Sequence, residues 1–164
     1  IGMRLEVGVG FSKTVKTRFQ EYVFSPRICG DDVVFLDAGK PLKAIENYVR
    51  ADAQYLPFKN FVFEELYASH LIEHLNNSAL FLRECHRVLR SGGKIYIWCP
   101  NFLSPNAWTD PTHKHSFSYR SLHRSLRNSG FSSSVHAHGL FFGKIFNKLL
   151  ALISNDLEAV GTRL

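Results

Sequence analysis

A short glycine turn and two carboxylates are the residues of this sequence whose types and spacing most suggest ligand chemistry. Gly8 and Gly10 follow a short apolar run, Asp37 ends a second run, and Asp52 ends a third candidate strand. A carboxylate in such a place can accept hydrogen bonds from two neighbouring ribose hydroxyls, and a second one can accept from an exocyclic amine. The spacing therefore predicts a site for a nucleoside-containing ligand.

Histidines form a second group of candidate residues. His70 and His74 follow a fourth apolar run, and His113 and His115 lie in a long proline-containing loop. Imidazole titrates near neutral pH, so each of them can accept a proton, although packing or hydrogen bonding is the commoner use. Asp110 with the two loop histidines offers metal-ligand atoms, but these do not make a complete ligand set of known spacing, and we expect no metal.

These residues must be positioned by a sheet whose strands end at one edge. Apolar runs predict strands within residues 5–12 and at 33–36, 48–52, 64–69, 94–99 and 131–138. Helical spacing predicts helices at 14–23, 77–89, 118–128 and 140–153, with glycines 92 and 93 ending the second of them. Strands that alternate with helices predict an α/β fold with a doubly wound, mostly parallel sheet, in which ligands bind at the carboxyl ends of the strands.

Composition and charge favour one compact domain and permit an anionic partner. The chain has 164 residues, 45% of them hydrophobic, and a net charge of +6. Three cysteines without metal-type spacing favour a reducing, cytoplasmic setting, and charges interrupt the last helix, so we expect no transmembrane span. Two predicted helix faces carry arginines, which suit either solvent or phosphate groups: Arg83, Arg87, Arg90, Arg120, Arg124 and Arg127.

Five motifs in a fixed order resemble those of a class I S-adenosylmethionine-dependent methyltransferase, in its small type-11-like branch. They are Leu-Glu-Val-Gly-Val-Gly at 5–10, Phe-Leu-Asp at 35–37, Ala-Asp-Ala-Gln-Tyr-Leu-Pro-Phe at 51–58, Tyr-Ala-Ser-His-Leu-Ile-Glu-His at 67–74, and Glu-Cys-His-Arg-Val-Leu-Arg-Ser-Gly-Gly-Lys at 84–94. The resemblance covers roughly residues 3–131. It implies a Rossmann-like fold. We expect one minimal domain without N-terminal lid helices.

The resemblance also implies S-adenosylmethionine as the cofactor and gives roles to individual residues. The glycine turn would hold the methionine part, Asp37 the ribose, Asp52 with the Ala53 amide the adenine, and Ser69 with His70 the sulfonium end. The cofactor residues so implied are Glu6, Gly8, Val9, Gly10, Asp37, Asp52, Ala53, Ser69 and His70. We expect the catalytic residues among His70, His113 and His115, and the substrate residues among Asn101, His74 and Trp108.

Three departures from the family pattern leave alternatives open. Ser12 stands where the family has a third glycine, and 27 positions separate Gly10 from Asp37, so Asp31 or Asp32 is an alternative at the ribose. We expect none of the helices that usually precede the first strand in this family, so that the acceptor side is open or is covered by the C-terminal helix or a second subunit. These departures admit a non-catalytic accessory subunit that binds the cofactor without turnover.

The expected domain covers residues 3–138, and residues 139–164 form an amphipathic helix and tail that pack on the domain or at a homodimer interface. We expect methyl transfer to oxygen or nitrogen, with a small molecule or a glycan hydroxyl as acceptor. The alternative acceptor is a nucleic acid or a protein docked through the basic surface.

Overall fold

A seven-stranded sheet organises the computed structural model, which describes residues 2–10, 27–40, 44–138 and 156–164. Its strands are β1 Met3–Val7, β2 Val33–Asp37, β3 Tyr48–Arg50, β4 Phe63–Ser69, β5 Leu89–Pro100, β6 Phe131–His138 and β7 Asp156–Arg163. Its described helices are α1 Ser78–Val88, α2 Asn106–Thr109 and α3 Tyr119–Asn128. The strand order is β3-β2-β1-β4-β5-β7-β6.

The first five strands are parallel, and the last two run antiparallel to their neighbours. β1 pairs with β2 on one side and β4 on the other, so the strand order reverses at β1. β7 lies between β5 and β6 and is antiparallel to both. The predicted α/β fold with a doubly wound, mostly parallel sheet is confirmed, and the reversal beside β1 marks the edge at which such sheets bind ligands.

Apolar side chains and helix caps explain why these elements form. Leu5 in β1 and Leu66 in β4 are completely buried, as strands covered on both faces require. Asn77 caps α1 by accepting from the Leu80 N–H at 2.9 Å, and four side chains of the helix are buried against the sheet. Ser118 begins α3 with a capping box. The sequence predicted the apolar face of α1 and offered two candidates for each helix start, Asn77 or Ser78 and Ser118 or Ser121, of which the structure has Asn77 and Ser118.

Three described elements differ from the prediction: α2 lies within the predicted loop after β5, and the other two are the end of α1 and the end of the chain. α1 ends at Val88 without glycine, because Leu89 already takes an extended backbone and begins β5. The predicted glycine ending is therefore wrong: Leu89 pairs with Phe63 and Lys94 with Glu65, so residues 90–93 form a bulge inside the strand ladder.

The chain end supplies the third difference. The sequence assigned residues 139–164 to a helix and tail packed on the domain, whereas Asp156–Arg163 is an inner strand of the sheet. Three predictions concern residues outside the described ones: the helix at 14–23, the helix at 140–153 and the role of Ser12. The dimer surface expected on the 140–153 helix is outside them as well. Among the helices that the structure describes, none is long and apolar enough to cross a lipid bilayer.

Candidate functional site

The glycine turn after β1 lies beside the end of β2. Gly8 and Gly10 both have positive φ angles, 78° and 70°, which glycine adopts without strain. The Gly10 N–H donates to Asp37 Oδ2 at 2.8 Å, and the Gly39 N–H donates to Asp37 Oδ1 at 2.8 Å. One carboxylate thus joins two turns, and each oxygen keeps a further lone pair for a hydroxyl. A Cβ at Gly8 would lie 3.0 Å from the Leu71 side chain, so this turn also needs glycine for packing.

The two alternative aspartates, Asp31 and Asp32, lie at the amino end of β2, opposite the end that meets the glycine turn. Asp31 and Asp32 precede β2, whereas Asp37 is its last residue. Asp32 forms a two-pronged ion pair with Arg4, at 2.7 Å to each carboxylate oxygen. The Arg4 hydrogen bond lowers the pKa of Asp32 below its ordinary value. Asp32 is therefore committed to a partner at the amino end of β2, far along the strand from the glycine turn.

Asp52 lies two residues beyond β3, at the same edge as Asp37. Its side chain is exposed, and Oδ1 accepts from the Gln54 N–H at 2.9 Å and from Gln54 Nε2 at 3.2 Å. The Gln54 side-chain oxygen in turn accepts from the Asn77 N–H at 2.7 Å. Ala53 is buried behind this turn. The loop is thereby fixed to the start of α1, with one acidic side chain facing solvent.

Glu6, in β1, is hydrogen-bonded to the backbone of the segment that precedes β2. It is only 2% exposed, and its two oxygens accept from the Arg27 N–H at 3.0 Å and the Ile28 N–H at 3.3 Å. Burial raises the pKa of this carboxyl, and the two backbone hydrogen bonds oppose the rise. Glu6 thus holds the chain before β2 against β1.

His70 follows the end of β4 in a left-handed conformation. Its φ angle is 48°, and its N–H donates to the Trp98 carbonyl at 2.8 Å. Its Nδ1 atom lies 3.5 Å from Glu73 Oε1, and this carboxylate raises the pKa of His70 above the ordinary value. Glu73 therefore orients the imidazole through Nδ1. The His70 side chain is 46% exposed, and Nε2 is its other ring nitrogen.

The loop after β5 is joined to the segment after β4. The Glu73 carbonyl accepts from the Lys114 N–H at 2.7 Å and the His115 N–H at 3.1 Å. The rings of His74 and His113 meet edge to face, with centroids 4.7 Å apart. His74 Nδ1 lies 3.0 Å from Thr112 Oγ1. The structure therefore brings together histidines that lie 39 positions apart in sequence.

The other predicted acceptor residues occupy different environments. Asn101 is buried and begins the loop, where its backbone bridges to Phe117. Trp108 is 61% exposed, with its indole N–H on the Phe102 carbonyl at 2.7 Å. His115 Nε2 is buried and has no hydrogen-bond partner among the described residues. Of these residues, Trp108 is the one that presents its side chain at the surface.

Sequence reasoning missed Glu73 as a site residue. Glu73 is 2% exposed, and among the described residues neither of its carboxylate oxygens accepts a hydrogen bond. The available signal was an acid directly after the apolar pair Leu71 and Ile72, a place where a plain surface glutamate is unexpected. Arg27 was also missed: its guanidinium lies 4.3 Å from the centre of the Trp98 ring.

The donors and acceptors at this edge fit a nucleoside with a charged tail. Asp37 and Asp52 present carboxylate oxygens of the kind that accept from hydroxyls and amines, and Gly10 is exposed without a side chain over its backbone. Ser69 and His70 lie at the end of the adjacent strand β4. These residues are therefore grouped at the carboxyl ends of neighbouring parallel strands.

A family model described as "Methyltransferase domain" matches residues 5–97 of the chain. A protein from Mycobacterium tuberculosis named "Probable S-adenosylmethionine-dependent methyltransferase" is 33% identical over 99 residues, which is 58% of this chain. A sterol 4-C-methyltransferase from Caenorhabditis elegans is 29% identical over 75 residues, or 46% of this chain. The chain spans 36% and 21% of the lengths of these two relatives, respectively.

Solved structures share the fold at lower identity. A SAM-dependent methyltransferase from Archaeoglobus fulgidus superposes with a TM-score of 0.66 and 18% identity, covering 99% of this chain and 86% of that one. At this identity the likeness concerns the fold.

Proposed function

This chain belongs to the methyltransferase domain family, whose methyl donor is S-adenosylmethionine, and we propose that it transfers a methyl group to an oxygen or nitrogen of a small-molecule or glycan acceptor. The observation that carries this proposal is the pair of hydrogen bonds by which Asp37 joins Gly10 to Gly39. They bring the glycine turn and the acid after β2 into one binding edge.

The chain's own residues would hold the donor at this edge. The remaining lone pairs of Asp37 suit the ribose hydroxyls, and Asp52 with the Ala53 amide suits the adenine. The turn from Gly8 through Val9 to Gly10 suits the methionine part, which also needs space beside Ser69. Glu6 supports the same turn indirectly, since its carboxylate holds the neighbouring chain at residues 27 and 28.

His70 is the residue that we expect to take the acceptor's proton. The bound cofactor supplies a methyl group on a sulfonium, which is already an activated leaving group. The protein therefore needs chiefly to align the acceptor, exclude water and remove a proton from a hydroxyl or an ammonium. His70 suits the last task because Glu73 orients its Nδ1 side and leaves Nε2 for the acceptor.

An apolar rim next to the histidines favours a small acceptor. Phe102, Leu103 and Trp108 are 42%, 50% and 61% exposed, and the Phe102 and Trp108 rings pack edge to face at 5.2 Å. Exposed aromatic groups of this kind bind apolar or sugar faces. Asn101 and His74 border the same loop and are the polar residues that we expect near the acceptor.

Transfer of labelled methyl groups tests the proposal. The chain is incubated with methyl-labelled S-adenosylmethionine and a cell extract that ultrafiltration has divided into small-molecule and macromolecular fractions. We expect label in the small-molecule fraction. His70→Asn should reduce transfer by about 100-fold, because it removes a general base, and the affinity of the same variant for S-adenosylhomocysteine reports separately on the expected contact of His70 with the cofactor.

Any other result of this labelling experiment favours one of the alternative functions or refutes the function. Label in the macromolecular fraction would contradict the small-acceptor proposal. Donor binding without transfer to either fraction would favour the accessory subunit, and absence of donor binding by calorimetry would refute the function altogether.

An anionic macromolecular acceptor is the second candidate, because α3 carries a basic face. Arg120, Arg124 and Arg127 are exposed on this helix, opposite the buried Leu122 and Leu126. If nucleic acid docks there, binding to a labelled oligonucleotide should weaken steeply with salt, and Arg120→Ala with Arg124→Ala should reduce it.

A further inference from the structure

Glu73, His74 and His113 form a compact group of metal-ligand atoms at the junction between the β4 end and the loop after β5. One ligand atom from each residue lies within 4.8 Å of the other two. We propose that these three side chains bind a divalent transition-metal cation of the zinc class. This site lies outside the proposed cofactor residues. It shares His113 with the Asp110, His113 and His115 group considered from the sequence, but its other two ligands are Glu73 and His74.

The burial of Glu73 is the first argument for a cation. Its side chain is 2% exposed, and both carboxylate oxygens lack a hydrogen-bond donor among the described residues. His70 Nδ1 lies 3.5 Å from Oε1, a distance that suits an ion pair when that imidazole is protonated. A buried carboxylate without donors is costly unless a charge compensates it. A cation bound by the carboxylate would supply that compensation.

The hydrogen bonds of the two histidines are the second, independent argument. Thr112 Oγ1 donates its proton to Asp110 Oδ1 at 2.6 Å, so it can only accept from His74 Nδ1, which lies 3.0 Å away. His113 Nδ1 lies 3.1 Å from the Ala107 carbonyl, which also can only accept. Both rings therefore carry a proton on Nδ1, and in the neutral form of each ring the lone pair is on Nε2. Metal-binding histidines are held in this way, with the second nitrogen on a carbonyl or similar acceptor.

The ligand types decide between classes of cation. Two imidazole nitrogens with one carboxylate suit Zn²⁺ and similar first-row ions, whereas Mg²⁺ prefers oxygen ligands. With bonds of about 2 Å, a tetrahedral Zn²⁺ holds its ligand atoms about 3.3 Å apart. The present spacing of up to 4.8 Å therefore closes by small side-chain rotations. Asp110 Oδ2, 3.8 Å from His113 Nε2, adds negative charge beside the site.

Calorimetric titration with Zn²⁺ alone tests the proposal, using the 164-residue chain after treatment with a chelator. We expect one Zn²⁺ per chain and at least tenfold weaker binding in each of Glu73→Gln, His74→Gln and His113→Gln. His136→Gln is the matched control, because His136 is an exposed histidine on β6 outside the cluster. Mg²⁺ should not compete at equal concentration.

Thermal unfolding of Glu73→Gln distinguishes a metal ligand from a structural carboxylate. Without metal, this variant should unfold at the same or a higher temperature than the original chain, because it removes a buried charge. With Zn²⁺, the original chain should become the more stable one. Equal Zn²⁺ affinity in all variants, or an equal loss of stability with and without Zn²⁺, would overturn the proposal.

The metal site and the methyltransferase function can fail separately. S-adenosylhomocysteine affinity of the original chain, measured with and without Zn²⁺, should stay the same within about threefold. A chain that binds Zn²⁺ but not the donor would refute the proposed function alone, and one that binds the donor but not Zn²⁺ would refute the metal site alone.

Discussion

Replacing Asp37 with asparagine should weaken S-adenosylmethionine binding by about 10- to 100-fold. The carboxylate accepts two backbone N–H groups at 2.8 Å each, from Gly10 and Gly39. Asparagine offers one acceptor oxygen, so one of these N–H groups would face an NH₂ group instead. Because Gly10 is exposed, water can replace that bond, and we expect a stability loss of only about 1 kcal/mol. The ribose hydroxyls would lose a charged acceptor, which is worth about 1.5–3 kcal/mol of binding.

Calorimetry with S-adenosylmethionine and S-adenosylhomocysteine measures this effect, and urea unfolding measures the stability term separately. The matched control is Asp32→Asn, which breaks the ion pair with Arg4 at the other end of β2 and should leave the affinity within about twofold. If Asp37→Asn binds the donor as well as the original chain, or if Asp32→Asn loses as much affinity, the assignment of the ribose to Asp37 is wrong.

Two further predictions concern the hydrogen bonds by which Arg87 and Glu84 join α1 to the loop after β3. Arg87 donates to the Leu56 carbonyl at 2.8 Å and the Phe58 carbonyl at 2.7 Å, so Arg87→Met should lower the free energy of unfolding by about 2–4 kcal/mol in urea denaturation. Arg83→Met, an exposed change on the same helix, should change it by less than about 0.5 kcal/mol. The Arg87 hydrogen bond lowers the pKa of the Glu84 carboxyl below its ordinary value, so the stability that this pair contributes is present above the ordinary carboxyl pKa and is lost as the pH falls. The original chain should thus lose more stability than Glu84→Gln on acidification below about pH 5, and parallel pH profiles would contradict this.

Local sequence patterns were sufficient for most of the sheet. Apolar runs located β1 and β2, because strands covered on both faces need continuous apolar side chains, whereas β3 to β6 were located from mixed runs between turn residues. Asn77 and Ser118 located the helix starts for an equally local reason, since a cap bonds backbone groups within three residues. β7 escaped prediction because Asp156–Arg163 alternates buried and half-buried residues that include two acids and a glycine.

The start of β5 could not be predicted locally. Residues 90–93 contain the serine and two glycines that usually end a helix, yet they lie within a strand ladder. The pairing of Leu89 with Phe63 competes with the turn preference, and this pairing depends on a residue 26 positions away. A long-range contact therefore decided where the helix ended.

The sequence by itself determined the order of β1 to β6 with α1 and α3 along the chain, the glycine turn and the acids that end β2 and follow β3, because these depend on apolar periodicity and on residues close in the chain. The tertiary structure alone decided that Asp37, and not Asp31 or Asp32, meets the glycine turn, since parallel pairing sets which end of β2 lies beside Gly10. It also decided that Glu73 is buried against His74 and His113. That arrangement depends on loop packing across 40 positions, and residue types in a one-dimensional sequence do not specify it.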